Sequence, residues 1–142
     1  MQFSFDFDAS IDEVFGFLTD HPRLAEIWGG AFERIVDAPG DDPNGLGAVR
    51  RIRNSGLTLE ETVTAFEKPT RMEYRITKGS PLKNHHGVML FSATAPDRTH
   101  LDYTIEFEPK IPLTGGLLKW RLEGELAAGL DKLARRYAGR EA

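Results

Sequence analysis

The residues of this chain that could move a proton or hold an oxygen sit at alternate positions along a few extended stretches. Arg50 and Glu61 flank the Ser55-Gly56 turn. A two-residue loop there pairs Asn54 with Leu57, Ile52 with Leu59, Arg50 with Glu61 and Ala48 with Val63. One face of that hairpin then carries Ala48, Ile52, Leu59 and Val63, with the charge pair in their midst. Slipping one strand by a residue would destroy this assignment. A guanidinium on such a face can hold a carbonyl or enolate oxygen while the carboxylate moves a proton. The same two groups can instead satisfy each other and pin the register. The sequence leaves both readings open.

Tyr74, Tyr103 and His85 fall on the same apolar side of neighbouring strands and can orient a polar ligand group; His85 is also a possible acid or base. Aromatic packing with a hydroxyl at the rim is the plainer alternative for the tyrosines. His85 and His86 are adjacent, so on a strand they project to opposite faces and make a poor joint metal site. His21 and His100 show no ligand spacing, and no metal or cofactor is expected. Gly45-Leu46-Gly47 precedes a strand, so it reads as turn geometry and not as a phosphate cradle. There is no Gly-x-Ser-x-Gly elbow, and with no cysteine there is no thiolate nucleophile. Trp28, with the segment from Pro112 to Gly116, closes the mouth of a pocket or else anchors the core.

The elements that must position these groups are legible from periodicity. Met1 to Asp8 alternates with Phe3, Phe5 and Phe7 on one face, a strand. Ser10-Ile11-Asp12-Glu13 is a capping-box pattern, with Ile11, Val14, Phe15 and Leu18 at helical spacing behind it. A second short helix starts at Pro22 and stops at Gly29-Gly30. Six strands follow near 32–37, 47–54, 57–67, 71–78, 86–95 and 99–108, joined by turns too short for parallel crossovers. Met72 and Ile76 join Tyr74 on the inner face, as do Gly87, Met89, Phe91 and Ala93 beside His85. Leu101, Ile105 and Phe107 do so beside Tyr103. Ala48, Ala65 and Gly87 are small inner positions on the sheet. After Pro112 the period returns to 3.6, and Leu118, Leu122, Leu126, Leu130, Leu133 and Tyr137 form one stripe of a long helix. Gly124 and Gly129 within that helix cost stability and so imply close approach or deliberate space. The expected class is α+β: a curved seven-stranded antiparallel sheet wrapped around the long C-terminal helix, with two short helices after the first strand.

Composition narrows the function. The chain has 142 residues, 40% hydrophobic and 28% charged, which suits one folded domain able to enclose a core or a pocket. Lys plus Arg number 18 against 22 for Asp plus Glu, a net charge of −4 that argues against a nucleic-acid partner. Apolar runs fall well short of the ~20 residues that span a bilayer, so no membrane insertion is expected and a cytoplasmic location is the default.

Over nearly its whole length the pattern resembles the SRPBCC superfamily, the START and pollen-allergen-like helix-grip domains, and within it the polyketide cyclase/dehydrase-like branch. The resemblance rests on the opening strand with Ala9-Ser10-Ile11-Asp12-Glu13-Val14-Phe15, on Trp28, and on Gly45-Leu46-Gly47-Ala48-Val49-Arg50. It extends through Glu61 to Pro69, Tyr74-Arg75-Ile76, the Thr99-to-Phe107 strand and the last helix. It implies a helix-grip fold and a small hydrophobic or aromatic ligand held between sheet and helix. Turnover of the cyclase or dehydratase kind and carriage of a lipid or quinone are the alternatives. No invariant catalytic set spans that superfamily. Arg50, Glu61, Tyr74, His85, Met89, Phe91, Tyr103 and Trp28 are the expected ligand contacts, with Glu61 and His85 the candidate acid–base groups. A monomer or a homodimer is compatible with the pattern.

Overall fold

The computed structural model describes residues 1–54, 56–79, 82–109 and 115–139. Strand β1 (Gln2–Phe7) alternates as its sequence requires, with Phe3, Phe5 and Phe7 turned to the core and Gln2, Ser4 and Asp6 exposed. Helix α1 (Ile11–Thr19) starts at Ser10, whose Oγ accepts the Glu13 N–H at 3.3 Å. This satisfies one of the first-turn amides that have no partner within a helix. Burial of Val14, Phe15, Phe17 and Leu18 holds α1 down. The second helical stretch divides. A 3-10 turn (His21–Leu24) leads into helix α2 (Ala25–Trp28), which ends at Gly29 with φ 70°, a value that favours glycine.

The strands β2 (Ala31–Val36), β3 (Val49–Asn54), β4 (Leu57–Glu67), β5 (Arg71–Lys78), β6 (Leu82–Ala95) and β7 (Arg98–Pro109) complete one antiparallel sheet, in the order β1-β7-β6-β5-β4-β3-β2. Strand β3 begins two residues later than its sequence pattern suggested and β6 four residues earlier. The β3–β4 register is the one expected, with Asn54 opposite Leu57, Ile52 opposite Leu59 and Arg50 opposite Glu61. Ala48 precedes β3, and its carbonyl accepts the Val63 N–H at 2.9 Å. Gly47, with φ 91°, donates to the Val63 carbonyl at 3.0 Å, so the glycine-rich stretch is turn geometry.

Two inner-face assignments need correction. Register shifts between Val63/Ala65 on β4, and Phe66 pairs with Met72. The bulge adds a residue and reverses the alternation beyond it. Phe66 therefore turns inward against Phe15 (ring centroids 5.3 Å apart), in place of Ala65. Ala93 has the expected parity, but it lies past the end of the core and is exposed.

The long helix α3 (Gly115–Gly139) lies against the concave face. Gly115 and Gly116 begin it and are not part of the preceding connection. Pro112 to Thr114, Ser55, Ser80, Pro81 and Arg140 lie outside the described residues, as does the Leu118 side chain. In its second half Leu130, Leu133 and Tyr137 are buried, and Tyr137 meets Phe7 edge-on at 6.1 Å. Arg136 ties the same end to α2 through Glu26 at 2.9 Å. The first half stands off the sheet, and Arg121, Leu122, Glu125 and Leu126 look across open space. Among the described residues, no helix is long and apolar enough to cross a membrane.

Candidate functional site

That open space is a cavity of about 420 Å³ between the sheet and the first half of α3. Its walls include Phe32, Ile52, Leu59, Ile76, Ile105 and Phe107. Arg50, Glu61, Tyr74, His85 and Tyr103 enter the cavity from the sheet, and Trp28 borders it from the end of α2. Six of the residues singled out in the sequence are thus brought together. Met89 and Phe91 are not among them. They have the right parity but sit further along the sheet, where Phe91 packs edge-on against Phe15 at 5.1 Å and both are buried in the solid core.

Two glycines shape the wall. Tyr74 pairs with Gly87 across β5 and β6, and a Cβ on Gly87 would lie 2.5 Å from the tyrosine ring. The missing side chain lets the ring lie across β6, where its hydroxyl meets that of Tyr103. On α3, a Cβ at Gly129 would fall 2.1 Å from Trp28 Nε1, so the indole rests on bare helix backbone. From there it donates to the Leu126 carbonyl at 3.2 Å. Trp28 therefore both anchors α2 to α3 and borders the cavity. A Cβ at Gly124 would meet nothing within 4 Å beyond its own stretch of helix among the described residues.

The charge pair is buried. Arg50 Nε donates to Glu61 Oε1 at 2.6 Å, and Nη2 stands 2.5 Å from the same oxygen. Among the described residues no hydrogen bond reaches Oε2. No enclosed side-chain nitrogen or oxygen lacks a partner there, so Oε2 is open to the cavity that Glu61 lines. Burial disfavours the guanidinium charge. The adjacent Glu61 carboxylate, Tyr74 and Tyr103 together outweigh that penalty and raise the Arg50 pKa above its ordinary value. The guanidinium also lies 4.8 Å from the Tyr74 ring centroid, a cation–π contact.

The other side of the guanidinium is held by His21, a residue the sequence analysis set aside. Arg50 Nη1 is 3.1 Å from His21 Nδ1. A guanidinium can only donate, so Nδ1 accepts and the ring proton resides on Nε2. Nε2 donates in turn to the Asn44 carbonyl at 3.3 Å, and Asn44 Oδ1 accepts the His21 N–H at the same distance. Burial and then Arg50 lower the His21 pKa to about 3, so the ring is neutral. Glu61, Arg50, His21 and Asn44 thus form one chain of hydrogen bonds behind the cavity wall. A histidine at the head of a 3-10 turn, 29 residues before Arg50, carries no periodic signal; only the fold brings the two together.

His85 reaches the cavity through an irregularity in the sheet. Strands β5 and β6 pair from Arg71–Leu90 to Tyr74–Gly87, and the β6–β7 register shifts between Lys83/His86. Beyond Gly87 the amide of Ile76 donates to His85 Nδ1 at 3.1 Å, a side chain taking a bond that strand pairing would otherwise make. Burial lowers the His85 pKa, which keeps the ring neutral with its proton on Nε2. Burial likewise pushes the phenols of Tyr74 and Tyr103 up, so both remain protonated. His86 projects to the opposite face, where Nε2 lies 2.6 Å from Glu73 Oε1 and Arg71 takes the other carboxylate oxygen. Among the described residues no three acidic or histidine side chains are grouped to hold a metal ion.

With the fold and the cavity in view, comparison with known proteins decides the family. Residues 1–138 match the family described as polyketide cyclase / dehydrase and lipid transport. The chain belongs to that family. No curated protein matches its sequence. Solved structures with the same architecture as this polyketide cyclase/dehydrase family member share little sequence with it. The protein XoxI from Bacillus cereus superposes with a TM-score of 0.79 at 17% identity, covering 100% of this chain and 97% of that one. A START superfamily protein from Mycobacterium smegmatis gives 0.78 at 16% identity, covering 98% and 97%. Norcoclaurine synthase from Thalictrum flavum, in complex with dopamine and hydroxybenzaldehyde, gives 0.65 at 13% identity, covering 96% and 86%. At such identities the likeness is one of fold: the curved antiparallel sheet around a long C-terminal helix.

Proposed function

We propose that this protein binds a small, largely apolar molecule in the cavity between its sheet and the first half of α3. The observation that carries the reading is a cavity of about 420 Å³ whose walls are mainly aliphatic and aromatic and whose buried polar groups, Arg50, Glu61, Tyr74, His85 and Tyr103, enter it from the sheet. A few placed polar groups in an apolar cleft of a few hundred Å³ are the general form of a small-molecule site. That volume lies towards the small end of such sites and favours a compact ligand over a long-chain lipid or quinone. The open Oε2 of Glu61 favours a second reading, acid–base turnover of the bound molecule, with Arg50 holding the carboxylate in place.

The neutral fluorophore N-phenyl-1-naphthylamine tests the binding reading. Its emission is expected to rise on mixing with the protein. It should fail to rise with Ile76→Trp, which fills the cavity, provided circular dichroism shows that variant folded. Unchanged emission with the native protein would remove the reading. Native mass spectrometry of freshly purified protein would reveal a co-purifying molecule. Its return unchanged after incubation, with equal affinity in Glu61→Gln, would argue against turnover.

A further inference from the structure

We infer that the molecule held in this cavity is uncharged at its buried end and carries there a hydroxyl group, phenolic or aliphatic, that donates to Glu61 Oε2. The inference rests on the binding reading above and narrows it to a ligand class.

The argument begins with what the polar groups have left to offer. Arg50 directs Nε and Nη2 at Glu61 Oε1 and Nη1 at His21, which leaves one further N–H on each terminal nitrogen. Its positive charge is matched by Glu61 within hydrogen-bond distance. The two charges cancel, and His21, His85, Tyr74 and Tyr103 are all neutral. A carboxylate brought to this buried end would lose its hydration and meet no uncompensated cation, since Arg121, the other cationic side chain of the lining, stands exposed on α3. It would also face Glu61, and desolvating an unpaired charge is the most expensive step in binding. An ammonium would meet Arg50 in the same way.

What remains is a mixed set. Glu61 Oε2 is an acceptor with no donor among the described residues. His85, with Nδ1 occupied by the Ile76 amide, presents Nε2–H as a donor. Of the two hydroxyl protons of Tyr74 and Tyr103, one is used between them and one is left. A hydroxyl is the smallest uncharged group that both donates and accepts, so it can answer Oε2 and one of these donors together. A ketone or an ether would leave Oε2 unanswered, and an unmatched buried carboxylate oxygen costs affinity.

Three naphthalenes of nearly equal shape test this at neutral pH by displacement of N-phenyl-1-naphthylamine from the native protein. 2-Naphthol donates and accepts, 2-methoxynaphthalene only accepts, and 2-naphthoate is an anion. 2-Naphthol is expected to displace the probe at concentrations at least about tenfold lower than either of the others, as a hydrogen bond to a charged acceptor allows. In Glu61→Gln the advantage over 2-naphthoate should shrink, because the negative charge is gone. Equal displacement by 2-naphthol and 2-methoxynaphthalene overturns the inference, as does displacement by 2-naphthoate at the lower concentration or by none of the three. In each of these cases the bound probe leaves the cavity reading standing. Failure of the probe itself to bind overturns both. The comparison on the native protein stands even if Glu61→Gln does not fold.

Discussion

The indole of Trp28 occupies the place that a side chain at Gly129 would need, with Nε1 only 2.1 Å from where a Cβ would stand. This contact lets α3 close on α2 while leaving room further along the helix for the cavity.

Two glycines of one helix should therefore respond oppositely to alanine. Glycine inside a helix costs about 1 kcal/mol relative to alanine. At Gly124, where an added Cβ would meet no neighbouring element within 4 Å among the described residues, Gly124→Ala should raise stability by about 0.5–1 kcal/mol. Gly129→Ala should lower it, because overpacking by about 1–3 kcal/mol exceeds that gain. Denaturant midpoints decide the matter. A stabilised Gly129→Ala would mean that Trp28 can move aside freely.

The Arg50–Glu61 pair gives a second expectation. Removing one member of a buried ion pair leaves the other unmatched, at a cost of about 3–5 kcal/mol. Glu61→Leu should thus be severely destabilising, and adding Arg50→Met to it should restore part of the loss. Equilibrium unfolding of the singles and the double completes the cycle. If the double is less stable than Glu61→Leu, the stranded charge is not the source of the loss.

His21 sets a third, in the pH dependence of stability. Its folded pKa of about 3 lies below the unfolded value of 6.5. Between those values the unfolded chain holds the proton and the folded chain does not, so stability falls as the medium is acidified below pH 6.5. The slope attributable to this one group approaches about 1.4 kcal/mol per pH unit. His21→Gln keeps an acceptor for Arg50 and a donor for Asn44 but cannot titrate. Between pH 6.5 and 5, above the range of ordinary carboxylates, that variant should lose stability less steeply than the native protein. Parallel curves would show that His21 takes up its proton without cost.

How far this was legible in the sequence follows from how local each signal is. A two-residue turn dictates register, so the Arg50–Glu61 pairing could be read from residues 48–63 alone. Alternation located Tyr74, His85 and Tyr103 on the inner face. It could not say how far along the sheet the solid core gives way to the cavity. Met89 and Phe91 therefore shared the pattern and not the place. The bulge near Thr64 changes parity with no turn residue to announce it, which is why Phe66 displaced Ala65. His21 was missed because its partner arrives from another element, and no spacing rule connects a 3-10 turn to the strand it packs behind.

The strand order has a consequence for how the chain reaches this state. Strands β1 and β2 are consecutive among the strands but occupy opposite edges of the sheet, because β1 pairs with β7 through contacts such as Phe3 opposite Tyr103. During synthesis the β2-to-β7 meander can zip up turn by turn from neighbouring segments. The first strand meanwhile has no edge to join until β7 leaves the ribosome. Joining it closes a loop of about a hundred residues, and contacts this distant in sequence slow folding. Phe3, Phe5 and Phe7 spend that interval unsheltered. Any protection of the nascent protein by a chaperone would have its greatest effect on this strand, the earliest of the seven in the chain and the last of them to find its neighbour.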